Sequence, residues 1–297
     1  MDVTPLFIAM LLCMVYLFEV RGWSLYLSFN ESLMDVPRDP NFSPMVSVLL
    51  PCFNESKAIY DTIKSIAESN YPKDKLEILV VDDCSKDDTW DWIQKAAVEF
   101  PNVVGMRNEE NLGKPRTMVK LSQRSVGEVL IGTDGDTIWH PNAVRELVSC
   151  FKDPLVGGVG GVCGVYNVNE SLLTQFQAIK YAIGFYLTKP IENLTRTNQC
   201  LAGPVIAFRA NVYKDMLVKE LEKRNFLGVR IQHGEDRFAT QMILAKGYKT
   251  FLNFDAKVWS STPVTWSNFM NQQMRWRRSV IQSWVDTTFN FNARLKA

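Results

Sequence analysis

Three short polar clusters carry most of the chemistry open to this chain. Thr133-Asp134-Gly135-Asp136-Thr137 follows an apolar run, Gly234-Glu235-Asp236-Arg237 opens a helix-like one, and Asn271-Gln272-Gln273-Met274-Arg275-Trp276 lies downstream of both. Two carboxylates separated by one residue can both reach a ligand where a strand ends in a turn, and Gly135 permits a close backbone approach. Hard cations take few protein carboxylates plus substrate oxygens, so Asp134 and Asp136 suit Mn²⁺ or Mg²⁺ on phosphates. An ordinary Asp-Gly turn is the plainer reading. One of Glu235 and Asp236 can serve as a general base, or both can be acids favoured at a helix start. Gln272, Arg275 and Trp276 share a helical face, where an arginine can stabilise a developing diphosphate and a tryptophan can stack on a sugar ring. The same basic, aromatic helix can also lie on a membrane surface. A cation on a pyrophosphate, a base for a hydroxyl, and cationic or aromatic groups around a leaving diphosphate are the needs of a sugar-nucleotide transferase.

These groups need strands and helices to hold them. Val46 to Leu50 is β-prone and ends at Pro51, Ile59, Ile63 and Ile66 recur at helical spacing, and Leu76 to Val81 is a second strand running into Asp82-Asp83-Cys84-Ser85. This is a βαβ unit with acids at a strand's carboxyl edge, where ligands collect in open α/β sheets. Asp82 and Asp83 can accept hydrogen bonds from a uracil imide or ribose hydroxyls, although Asp83 or Ser85 as a helix cap fits equally. Lys114 can pair with a diphosphate or stand as a solvated lysine. Val103 to Met106 and Val129 to Gly132 give two more strands, and the glycine-rich 157–164 stretch reads as a closely packed one. Helical patterns cover 172–187, 213–223, 238–246 and 266–284, and 249–258 suits a strand. No dinucleotide or P-loop glycine frame follows any strand.

Composition narrows the class. The chain has 297 residues, 46% of them hydrophobic, which supports one large α/β domain with additions. Thirty-three basic residues against 32 acidic ones leave a charge of +1, so no global field recruits nucleic acid. Six scattered cysteines and two histidines predict reduced, mostly buried thiols and argue against a histidine metal site. Residues 1–29, with an unbroken apolar run from Leu6 to Phe18, are expected to anchor the chain in a membrane. A cleaved signal peptide is the alternative, and Arg21 after the run favours a cytosolic body. A linker at 30–44, a catalytic domain at 45–262 and an amphipathic segment with a polar tail at 263–297 complete the expected organisation.

The clusters occur in the order found in membrane-bound, processive family 2 glycosyltransferases: Pro51-Cys52-Phe53-Asn54-Glu55, Asp82-Asp83-Cys84-Ser85, Asp134-x-Asp136, Gly234 to Arg237, and Gln272-x-x-Arg275-Trp276. Residues 45–285 resemble that family, and Cys200-Leu201-Ala202-Gly203-Pro204 with Gly113-Lys114 brings them nearest to its hyaluronan and chitin synthases. The resemblance implies a Rossmann-like GT-A nucleotide-diphospho-sugar transferase domain, with an N-terminal membrane helix and a C-terminal interface helix. It also implies inverting transfer from a UDP-sugar to a growing β-linked polysaccharide, hyaluronan being preferred. By it, Asn54, Glu55 and Asp83 adjoin the uridine, Lys114 the diphosphate, and Asp134 and Asp136 the nucleotide and its Mn²⁺ or Mg²⁺. Asp236 is the base. Gln272, Arg275 and Trp276 hold the diphosphate and acceptor end, and Cys200, Gly203 and Pro204 border the acceptor. A chitin-like or other β-glycan synthase, a non-processive transferase onto a lipid, and a silent sugar-nucleotide-binding subunit are the alternatives. Such synthases carry further membrane helices after the Arg-Trp pair, whereas Asn290, Asn292 and Arg294 form a polar tail here. A fragment, helices gained by oligomerisation, or a short product would each account for that.

Overall fold

Period-two alternation of β-branched residues builds the centre of the molecule. The computed structural model describes residues 36–215, 225–226, 229–231 and 233–285, with scattered positions among the first 26. Strand β1 (Val46–Cys52) turns Val46, Val48 and Leu50 toward Ile59, Ile63 and Ile66 of helix α1 (Ala58–Ala67), and Leu49 toward the opposite face. There β2 (Leu76–Asp82) adds Leu79 and Val81. Helix α2 (Thr89–Glu99), β3 (Val103–Arg107), α3 (Lys114–Arg124) and β4 (Val129–Gly132) complete a parallel half, with Met118 and Leu121 of α3 closing that second face. Leu49, Leu50, Ile59, Ile63 and Ile66 are 0–1% exposed, so each carries the full burial gain of roughly 1.5–3 kcal/mol for a large aliphatic side chain.

The second half is mixed. It comprises β5 (Thr137–Trp139), α4 (Ala143–Ser149), β6 (Val156–Val165), α5 (Leu172–Ala182) running through a π-helical turn (Ile183–Thr188) into α6 (Lys189–Leu194), and β7 (Ile206–Arg209). A small hairpin of β8 (Asn225–Phe226) and β9 (Val229–Arg230) follows, then α7 (Glu235–Ala245), β10 (Lys249–Ser260) and α8 (Trp266–Val285). The main sheet runs β3-β2-β1-β4-β7-β6-β10-β5. Because β7 is antiparallel to both β4 and β6, and β10 is parallel to β6, the start of β7 meets the ends of β1, β2, β4, β6 and β10 at one edge. That edge gathers the loops carrying 54–55, 83, 134–136, 203–204 and 260–261.

The sequence offers no strand signal for β5 or β7: they are three and four residues long, and neither stops at a polar cluster as the equally short β4 does. Of the helix expected over 213–223, residues 210–215 are helical and 216–224 lie outside the described residues. Most of the expected anchor (1–29), part of the linker (30–44) and the tail beyond 285 also lie outside them. Among the described residues no helix is long and apolar enough to cross a membrane.

Helix α8 turns much of its apolar stripe outward. Trp266, Met270, Met274, Trp276, Ile281 and Trp284 are 40–66% exposed, and α5 beside it exposes Leu172, Phe176 and Ile179. The two helices meet where Phe176 and Trp266 both edge onto Phe269, and where Lys180 binds the Gln273 side-chain oxygen. A core-facing helix would bury such a stripe; here the two neighbouring helices both leave apolar side chains exposed.

Candidate active site

The Asp134-Gly135-Asp136 turn links β4 to β5 and places its carboxylates over the gathered edge. Asp136 accepts from the hydroxyls of Ser261 (2.7 Å) and Ser260 (3.2 Å) at the end of β10. Gly135 packs so closely under Glu55 that an added Cβ would lie 2.8 Å from Glu55 Cγ. Three carboxylates thus crowd one turn. Burial, then the charges of Asp136 and Asp134, push Glu55 up to about 8; burial and Asp134 likewise raise Asp136.

Lys114, the first residue of α3, answers that charge. Its Nζ lies 2.5 Å from Asp134 Oδ1 and 3.0 Å from Glu235 Oε1. Burial opposes its charge, but Asp134 and Glu235 outweigh burial and hold the ammonium protonated well above its ordinary range. Glu235 and Asp236 open α7 after Gly234, which adopts φ 73°. A side chain there would be strained and would collide with Ser279 of α8, so glycine lets the helix carrying Gln272 to Trp276 dock on the acidic turn. Asp236 Oδ2 accepts from the Gly203 N–H (3.2 Å) and Oδ1 from the Arg237 N–H (2.7 Å). Burial, then Glu235, raises the Asp236 pKa, with Lys114 opposing. Lys114, Asp134, Glu235, Asp236 and Gly203 are therefore one connected cluster. Cys200 lies just upstream, its thiol pushed up to about 12 by burial and by Asp236, and the Pro204 carbonyl accepts from Thr133.

The other expected residues are placed differently. Asp83 caps no helix; its carboxylate accepts from the N–H groups of Leu112 (2.9 Å) and Gly113 (2.8 Å) and from Asn108 Nδ2 (2.7 Å). Since a carboxylate offers about four acceptor positions, most of Asp83 is spent holding the turn before Lys114. Ser85 caps no helix either: its hydroxyl receives the Asn54 N–H (2.9 Å), while Asn54 Oδ1 receives the Lys86 N–H. Asp82 pairs with Arg107 at 3.0 Å. Gln272 meets only its neighbour Gln273 among the described residues, and Arg275 makes no ion pair or hydrogen bond there. Trp276 faces Tyr181 of α5, ring centres 6.2 Å apart, with Lys180 Nζ 5.7 Å from the indole. Tyr181 and Asn108 are site-forming residues that the sequence reading missed, because an aromatic on an apolar helix and an asparagine in a loop carry no spacing signal.

The donor set fits a hard divalent cation held by one or two carboxylates with substrate phosphates completing its shell. Among the described residues no cluster of three or more His, Cys, Asp or Glu side chains forms a self-sufficient metal cage. The crowding also has a measurable consequence. With a folded pKa of about 8 against an ordinary 4.5 for Glu55, the native state binds the extra proton between those values, so stability falls as pH rises through that window. Glu55→Gln should flatten urea-unfolding stability between pH 5 and 8; an unchanged slope would remove Glu55 as its source.

The chain shares this architecture with solved structures. It superposes on the mannosyltransferase PcManGT from Pyrobaculum calidifontis, in complex with GDP-Man and Mn²⁺, at a TM-score of 0.66 with 20% identity, covering 92% of this chain and 74% of that one. On S. aureus TarS with UDP-GlcNAc the TM-score is 0.56 at 17% identity, over 80% and 66% of the two chains. These likenesses show a GT-A-like α/β fold. In sequence it is 27% identical over 241 residues to an N-acetylglucosaminyltransferase of Mesorhizobium japonicum, covering 80% of this chain and 56% of that protein. It is also 27% identical over 243 residues to the hyaluronan synthase of Streptococcus pyogenes, covering 79% and 56%. The chain thus spans about half the length of the curated relatives it matches. The family model for glycosyl transferase family 2 matches residues 47–221. Those residues are more than half of the chain and contain Asn54, Asp83, Lys114, Asp134, Asp136 and Gly203: the chain belongs to glycosyl transferase family 2 and has the fold of a glycosyltransferase.

Proposed function

We propose that the chain transfers a sugar, with inversion, from a UDP-sugar to the end of a β-linked glycan, with N-acetylglucosamine as a donor sugar and hyaluronan as the preferred product. The observation that carries this is the position of Asp236: its carboxylate is aimed by Gly203 N–H and lies beside the Lys114 and Asp134 ion pair. An acid in that place can take the proton of an acceptor hydroxyl. Lys114 supplies positive charge for the diphosphate, and Trp276 with Tyr181 offers an aromatic wall for the acceptor sugar. A cation bound at Asp134 and Asp136 would neutralise the leaving diphosphate. The intact cluster disfavours a silent subunit, and the relatives named N-acetylglucosaminyltransferase and hyaluronan synthase support the choice of sugar and product.

The outward stripe of α8, with Arg275, Arg277 and Arg278 exposed along it, supports contact with membrane lipid, the body facing the cytosol where UDP-sugars are made. A glycan on the Asn54 sequon in a eukaryotic host would overturn that orientation. Membranes incubated with each UDP-sugar, singly and in pairs, test the reaction. Long product requiring both UDP-GlcNAc and UDP-GlcA is expected. Long product from UDP-GlcNAc alone makes the enzyme chitin-like, single-sugar transfer to lipid makes it non-processive, and no turnover of any donor refutes the proposal.

A further inference from the structure

We propose that Lys114 is an exchangeable counter-ion, whose ammonium holds Asp134 until the donor's diphosphate takes it over, so that the divalent cation enters the Asp134 and Asp136 pair together with the donor. This rests on the reading of those two acids as the cation pair. The geometry behind it is the fork at Lys114 Nζ, 2.5 Å from Asp134 and 3.0 Å from Glu235. An ammonium on Asp134 Oδ1 competes directly with a cation for that oxygen, since two positive centres at hydrogen-bonding separation repel strongly in a partly buried site. The Lys114 side chain is 33% exposed and Asp134 35%, so the pair borders solvent and the lysine has room to swing.

Its backbone cannot follow. The Gly113 N–H is fixed to Asp83 Oδ2 at 2.8 Å, and Lys114 begins α3 directly after it. A flexible four-carbon stem on a pinned backbone is a device for moving a point charge between neighbouring anions. Asp134 and Glu235 are already in reach, Asp236 adds its charge nearby, and a bound donor's diphosphate would be a further anion for the ammonium. Among the described residues no other lysine or arginine is ion-paired to Asp134 or Glu235, so Lys114 is the cation that competes there for the Asp134 oxygen.

The test titrates the full chain with Mn²⁺ in the absence of nucleotide and reads free Mn²⁺ by electron paramagnetic resonance. Lys114→Met should bind Mn²⁺ about tenfold or more tightly than the parent, Lys114→Arg should remain parental, and UDP should bind Lys114→Met more weakly. Unchanged or weaker Mn²⁺ binding by a Lys114→Met protein with parental melting overturns the proposal, and unchanged UDP affinity overturns the hand-over. If Lys114→Met fails to fold, Lys114→Gln, which keeps a polar amide but no charge at that position, serves under the same criteria. Asp136→Asn checks the underlying reading separately: full Mn²⁺ binding by that variant with UDP present would remove Asp134 and Asp136 as the cation pair, whatever Lys114 does.

Discussion

Asp236→Asn should lower turnover by about 10²–10⁴-fold, the usual cost of losing a general base, while UDP affinity measured by calorimetry stays parental. The substitution is close to isosteric. The Gly203 N–H still finds an oxygen acceptor at 3.2 Å, and the α7 start keeps Glu235 as its acid. What disappears is the ability to hold a proton. Burial and Glu235 raise the Asp236 pKa, which moves the group toward the range where a base works near neutral pH. Glu235 supplies the contrast: its carboxylate is engaged by Lys114 at 3.0 Å, so Glu235→Gln should disturb donor binding more than turnover. Near-normal turnover in Asp236→Asn would transfer the base role elsewhere.

That separation of two adjacent acids could not be made from the sequence. Glu235 and Asp236 have the same charge and the same place in a first turn, and only the fold shows that one faces α3 and the other the loop before β7. What could be read was the set of apolar runs that stop at polar clusters. β1 and β2 are seven residues long and show their pattern, β4 is short but ends directly before Asp134-Gly135-Asp136, and parallel pairing brings their ends to one edge. Asp134 and Asp136 were legible for that reason. Asp83 was legible as a strand-end acid but not as the clamp on Leu112 and Gly113, because its partners come from a loop some thirty residues on, with no periodicity. Gly203 was reached only through the family resemblance. The fold adds the reason it stands there: β7 enters antiparallel, so its beginning meets the ends of the other strands. Trp276 was placed on the correct helix, yet its partner Tyr181 comes from α5, nearly a hundred residues earlier, and no spacing rule joins them.

Activity should require Mn²⁺ or Mg²⁺, and Asp136→Ala should abolish the metal response and weaken donor binding by at least about 10–100-fold, the loss typical of disturbing even the outer partners of a metal ligand. Charge comes first: Glu55, from the loop after β1, packs against the Asp134-Gly135-Asp136 turn, and Lys114 is ion-paired to only one of these three acids. Burial first, and the neighbouring carboxylates after it, raise the Glu55 and Asp136 pKa values, so negative charge at both is disfavoured. A divalent cation with its phosphate ligands relieves that crowding better than protons do at neutral pH, since it compensates two charges at once. Asp136 is held for this role by Ser260 and Ser261, which orient its carboxylate while leaving further acceptor capacity. Removing it leaves Asp134 as the sole acid of the pair, already engaged by Lys114. Titration of UDP into parent and variant at fixed Mn²⁺ measures the donor effect, and transfer assays across a range of chelator measure the metal effect. Transfer that continues undiminished in excess chelator would show that no divalent cation is needed, and the acidic turn would then be a structural feature of the β4 to β5 connection.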